Sequence, residues 1–126
     1  MDIVADALNT MKTHEIAGQK YCTFKASKII GKILDILKNE GYIVSYQFIE
    51  NGRGNKYEVE LAGKINEAGV IKPRISVKKN EWQKFEQQFL PAYNIGVIIV
   101  STSNGIITNT VAQEFGIGGR LIAYIY

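Results

Sequence analysis

Apolar residues recur along this chain at spacings that change from block to block, and each change marks a new element. From Asp2, Val4, Ala7, Leu8 and Met11 recur at helical spacing, which predicts a helix over about residues 3–14 with Asp2 as N-cap and Gly18 as a break beyond it. KYCTF at 20–24 has the aromatic and β-branched content of a short strand. Ile29, Ile30, Ile33, Leu34 and Leu37 then crowd one helical face from Ser27 to Gly41, with Lys28 and Lys32 on the opposite, solvated side. YIVSYQFIE at 42–50 puts Tyr42, Val44, Tyr46 and Phe48 on one strand face, and KYEVEL at 56–61 sets Tyr57, Val59 and Leu61 opposite Lys56, Glu58 and Glu60. Asn51, Gly52 and Gly54 lie between these two runs, which predicts a hairpin.

GKINEAGVIKP, punctuated by Gly63, Gly69 and Pro73, is the expected join between two halves, and the strand PRISVK is expected to open the second. Asn80 followed by Gln83 resembles a capping box for a helix carrying Trp82, Phe85 and Phe89, ended by Pro91. NIGVIIV at 94–100 is a continuous apolar run, as a central strand would be. Thr108 or Asn109 can cap a short helix with Val111, Ala112 and Phe115, stopped at Gly116, before RLIAYIY closes the chain as a strand. The order predicts an α+β protein of two small domains: αβαββ over residues 1–65, and a smaller, mainly β domain with short helices over 66–126.

Composition narrows the function. With 126 residues and 46% hydrophobic content the chain can bury a real core. No apolar run approaches a membrane span and the start, MDIVADALNTMK, has no signal-peptide pattern, so an intracellular, cytoplasmic protein is expected. Cys22 is alone, with only His14 for company, so neither an internal disulfide nor a structural zinc site can form; Cys22 fits a buried strand position, and no metal or cofactor is expected. His14 fits a dipole partner at a helix C-terminus better than a catalytic base. Ser101 and Ser103 lack the glycine framing of a nucleophile elbow. Gly116, Gly118 and Gly119 follow a helix and precede a strand, the reverse of a phosphate-binding turn. Glu58 and Glu60 fit a solvated sheet face, and Tyr42, Tyr46 and Tyr57 a hairpin core, with Tyr124 and Tyr126 left open. These absences argue against an enzyme.

Two features survive. The net charge of +3 is modest, but residues 20–34 hold Lys20, Lys25, Lys28 and Lys32 with no acid, and residues 68–80 hold Lys72, Arg74, Lys78 and Lys79 with none. Ser101-Thr102-Ser103-Asn104-Gly105 is the second: a polar loop with no charge. Long cations hold phosphates without reading sequence, while short hydroxyls, amides and bare backbone can bond to base edges and sugars at close range. The pair therefore suggests RNA. The rival from another class is a protein-interaction module using the apolar C-terminal strands.

Six stretches in order resemble one family: ADALNTM (5–11), KASKIIGKIL (25–34), IKPR (71–74), FLPAYNIGVIIV (89–100), VSTSNGIIT (100–108) and GIGGRLIAYIY (116–126). They are similar to the universal eighth protein family of the small ribosomal subunit. Arg120, where bacterial members usually carry an acid, together with IKPR and FLPAY, resembles its archaeal and eukaryotic branch.

The resemblance implies an N-terminal αβαββ domain and a smaller β domain. It further implies binding to a helix in the central domain of small-subunit rRNA, a structural role in ribosome assembly, no catalysis, neighbouring small-subunit proteins as partners, and a monomer outside the ribosome. Carried over by position, Ser101, Thr102 and Ser103, with Gly105 turning their loop, meet the irregular core of the RNA helix, and Gly118 and Gly119 allow close backbone approach. Asn104 stands where a longer polar side chain is usual, and Ser76 where a proline or aromatic is. Ser27 and Lys28 touch RNA backbone at the start of the second helix, and Asn9 lies near the RNA on the first. Lys32, Lys72 and Arg74 join the site by charge and neighbourhood.

Overall fold

The computed structural model describes residues 2–50, 52, 54–92 and 95–126; Asn51 and Asn94, named above, lie outside them. The architecture is α+β, and the chain forms two compact units, Met1–Glu67 and Ala68–Tyr126.

Unit 1 opens with α1 (Ile3–Ile16), whose first turn is held by Asp2: its carboxylate accepts from the N–H groups of Val4 at 3.0 Å and Ala5 at 3.3 Å. Val4, Ala7, Leu8 and Met11 are buried, as their spacing predicts. His14 sits in the last turn with Nδ1 2.8 Å from the Thr10 carbonyl oxygen, a helix-end role. After β1 (Tyr21–Lys25), α2 (Lys28–Asn39) begins at Ser27, whose hydroxyl accepts from Ile30 N–H at 3.3 Å, and is followed by Gly41 at φ 82°. Ile30, Ile33, Leu34 and Leu37 are buried, each such side chain being worth about 1.5–3 kcal/mol. β2 (Ile43–Glu50) and β3 (Asn55–Leu61) form the expected hairpin in an antiparallel sheet of order β1-β3-β2.

One expectation fails in β2. Ile43, not Val44, takes the buried place, because the register slips between Ile43 and Ser45 and turns Val44 out to solvent. Beyond that bulge the faces behave as the alternation predicts. Cys22, Val59 and Tyr46 form one row and Phe24, Tyr57 and Phe48 the next, and Tyr57 makes edge contacts with Tyr46 and Phe48 at 5.5 and 5.7 Å. α2 closes on them: Asp35 accepts a hydrogen bond from Tyr46, and Gly31 lies under the Tyr57 hydroxyl. That bond, with some burial, pushes the Tyr46 phenol up to about 12.

Unit 2 contains β4 (Ala68–Val70), β5 (Ser76–Val77), α3 (Trp82–Phe89), β6 (Val97–Thr102), β7 (Gly105–Thr108), α4 (Asn109–Phe115) and β8 (Gly119–Ile125). Its antiparallel sheet runs β4-β8-β6-β7, with β5 also on β8. Three expectations change. The first strand is β4, inside the expected linker, and PRISVK contributes only the two residues of β5. Asn80 does not cap α3: Glu81 holds that position, and its carboxylate accepts from Lys78 N–H at 2.9 Å instead. β7, unforeseen, makes the serine loop a hairpin rather than a strand-to-helix connection.

Val97–Val100 are all buried, as a central strand requires, and so are Leu121–Ala123. These residues are spent on the protein's own core, so the apolar runs named for the protein-interaction alternative do not form an exposed face. Trp82 and Phe85 anchor α3 in a core with Ile98, Val100 and Leu121, and Trp82 Nε1–H donates to the Ile117 carbonyl at 3.1 Å, fixing the loop before β8. Asn109, buried, accepts from Ile98 N–H at 3.0 Å and donates to Glu86. Thr108 caps α4 through Val111 N–H at 3.3 Å, and Gly116, at φ 69°, ends it.

Candidate nucleic-acid interface

In unit 2 the hydroxyl stretch is built as a short turn. Thr102 faces Gly105 across the β6–β7 hairpin, leaving Ser103 and Asn104 as its tip, and Gly105 takes φ 98°, a left-handed conformation that closes such a turn. The Thr102 hydroxyl donates to the Gly105 carbonyl at 2.9 Å and accepts from Asn104 N–H at 3.0 Å. Thr102 is thus committed to holding the turn, and only a remaining lone pair is open to a ligand. Ser101, Ser103 and Asn104 are exposed, and among the described residues the two serine hydroxyls have no intramolecular partner.

The glycines beside the hairpin serve the protein's own packing. A Cβ on Gly118 would lie 2.0 Å from the Val77 carbonyl oxygen, and one on Gly119 would lie 2.6 Å from the Ser101 carbonyl oxygen. Within unit 2, close backbone approach at these residues brings Gly118 against β5 and Gly119 against β6. It draws the serine hairpin tightly against β8.

Register then shows a residue that the sequence reading did not place in the site. Ser76, Arg120 and Ser101 lie directly opposite one another across β5, β8 and β6, and all three are exposed. Two strand spacings, about 10 Å, cover that row. Arg74, two residues before Ser76, is likewise exposed, in the segment that leads into β5. The hairpin that looks neutral in the sequence thus has a guanidinium group beside it, that of Arg120, able to fork onto a phosphate. No short motif could have revealed Arg120; only the pairing of β8 with β6 does.

Lys72 is exposed in the segment between β4 and β5. In unit 1, Lys28 and Lys32 project from α2 into solvent, Asn9 is exposed on α1, and the Ser27 hydroxyl accepts its capping hydrogen bond. Unit 2 therefore gathers Ser101, Ser103, Asn104 and Arg120, with Thr102, Gly105, Gly118 and Gly119 shaping the support, and carries Lys72 and Arg74 exposed in the segment between β4 and β5. Unit 1 carries Asn9, Ser27, Lys28 and Lys32 separately. Such a surface offers hydrogen-bond donors and acceptors at short reach, with cations behind them, and no catalytic constellation among the described residues.

Comparison with known families agrees with the chemistry of this surface. The family model of ribosomal protein S8 matches residues 2–126 and so runs through both units. The chain belongs to the ribosomal protein S8 family, whose members are structural, rRNA-binding components of the ribosome and not enzymes.

Proposed function

We propose that this chain binds a helix in the central domain of small-subunit rRNA and supports assembly of that subunit in the cytoplasm, entering it as a monomer beside other small-subunit proteins. In this reading residues 66–126 are the domain that inspects RNA and residues 1–65 the domain that adds backbone contacts. The observation that carries it is the β6–β7 hairpin: two exposed serine hydroxyls with no partner among the described residues, Ser103 at its tip and Ser101 in β6 directly across from Arg120. Proteins recognise RNA at irregular, unstacked positions, where short donors and acceptors meet base edges and 2′-hydroxyls. Arg120, IKPR and FLPAY further support membership of the archaeal and eukaryotic branch.

Binding to an rRNA helix and to a random duplex, measured over a range of salt, tests the reading. Ser101→Ala with Ser103→Ala should weaken binding to the rRNA helix by about 1 kcal/mol per lost hydrogen bond and leave the random duplex unchanged. Lys28→Ala should weaken both RNAs alike and reduce the salt slope by about one contact. Equal losses on both RNAs from the serine pair would sink the proposal.

A further inference from the structure

The second face of the unit 1 sheet has a different chemistry from the rest of this basic chain. Across β1, β3 and β2, one row places Glu60 between Tyr21 and Ser45, and the next places Glu58 between Thr23 and Gln47. The bulge at Ile43/Ser45 adds Val44 beside Glu60. Tyr21 and Val44 are 53% and 51% exposed, large apolar groups left in water on either side of a carboxylate. No cation among the described residues lies within ion-pairing distance of Glu58 or Glu60. The cations of this face, Lys25 and Lys56, stand opposite each other in a third row with Ile49, toward the hairpin end. β2 is also an edge strand of eight residues whose outer backbone groups are not paired by the sheet.

We propose that this face docks an extended, arginine-rich segment of another protein. The occupant follows from complementarity. Two carboxylates repel a phosphate backbone and attract guanidinium groups, which donate paired hydrogen bonds to a carboxylate and also stack on an aromatic ring such as Tyr21. Successive rows of a sheet lie about 6–7 Å apart along the strands for residues on one face, the same spacing as alternate side chains of an extended chain. An extended segment with arginine at alternate positions therefore meets Glu60 and Glu58 in turn, the aliphatic stems of those arginines covering Val44 while the intervening residues face away from the sheet. RNA binding on the hairpin of unit 2 plays no part in this argument, so either idea can fail alone.

The test uses the isotope-labelled full chain and a synthetic nine-residue peptide alternating arginine and valine. Amide shifts should concentrate in Tyr21–Lys25, Ile43–Glu50 and Asn55–Leu61. Glu58→Gln with Glu60→Gln should weaken the peptide about tenfold while keeping the amide spectrum and the affinity for the rRNA helix. Glu40→Gln with Glu114→Gln, which changes net charge equally at exposed sites elsewhere, should leave peptide affinity unchanged. Shifts centred outside these strands, a loss below threefold in the first variant, an equal loss in the second, or displacement of the peptide by the rRNA helix would each overturn the proposal.

Discussion

The molecule's two hairpins solve the same problem in opposite ways. The β2–β3 hairpin is held by bulk: Tyr46, Phe48 and Tyr57 pack edge to face, and α2 closes on them through Asp35 and Gly31. The β6–β7 hairpin is held by removing bulk. Gly118 and Gly119 let backbone touch backbone, and one hydroxyl, that of Thr102, ties the turn. A hairpin of the first kind spends its side chains on its own stability. One of the second kind leaves Ser101 and Ser103 exposed, without a partner among the described residues, which supports the RNA-reading role proposed for unit 2.

That contrast breaks most sharply at Gly118. An added methyl would sit 2.0 Å from the Val77 carbonyl oxygen, and backbone cannot swing aside as a side-chain tip can. Gly118→Ala should therefore cost about 3 kcal/mol or more, the upper range for overpacking, as read from urea unfolding. A loss below 1 kcal/mol would show that β5 parts easily from the residue that leads into β8.

Thr102→Val tests the tie itself. The valine keeps the shape but removes both hydrogen bonds, and Asn104 N–H then turns to solvent, so about 1–2 kcal/mol of stability should go. Affinity for the rRNA helix should fall with it, because the serines lose their fixed positions. Ser101→Ala and Ser103→Ala should do the reverse, changing stability by less than about 0.5 kcal/mol. If Thr102→Val left RNA affinity intact, the turn's geometry would not matter to recognition.

Much of the fold was legible because single elements carry one strong period. α1 buries the residues its spacing names, α2 all but Ile29 and β3 all but Tyr57, both half-buried, and Asp2, Ser27 and Thr108 cap where their side chains can reach a free N–H. The failures share a cause. β4 and β5 hold three and two residues, too few for any period, and exist because β8 offers them backbone partners. Val44 follows the alternation in sequence but not in space, since a bulge is a property of the pairing. Likewise the serine loop was visible as chemistry, whereas Arg120 entered the site only through register. Local pattern predicts elements; residues that meet across strands need the partner strand.

Cys22 separates the two units by pH. Burial, with a smaller contribution from the Glu15 charge, pushes its thiol up from 9.0 to about 11. Its proton is thus held more tightly in the folded chain than in the unfolded one. The resulting stability is complete below pH 9 and is lost as pH rises toward 11. Unfolding of unit 1 monitored between these values should become easier with rising pH, and Cys22→Ala should flatten that slope. An unchanged slope would assign it to the tyrosines instead.

The smallest effect sharpens the contrast most. Gly31→Ala, in the bulky hairpin's supporting helix, meets a clash like that of Gly119, with its Cβ 2.6 Å from an oxygen, but here the oxygen is the Tyr57 hydroxyl at the end of a side chain. Alanine gains about 1 kcal/mol of helix propensity over glycine. Against this, moving the ring weakens edge contacts each worth about 0.5–1.5 kcal/mol. The net change should lie within about 1 kcal/mol of zero. Tyr57→Phe removes the clashing oxygen, so adding Gly31→Ala to that variant should recover the propensity gain and stabilise it by about 1 kcal/mol. If Gly31→Ala cost the same with and without the hydroxyl, the crowding would come from the ring itself, and this hairpin would be as unyielding as the glycine-backed one.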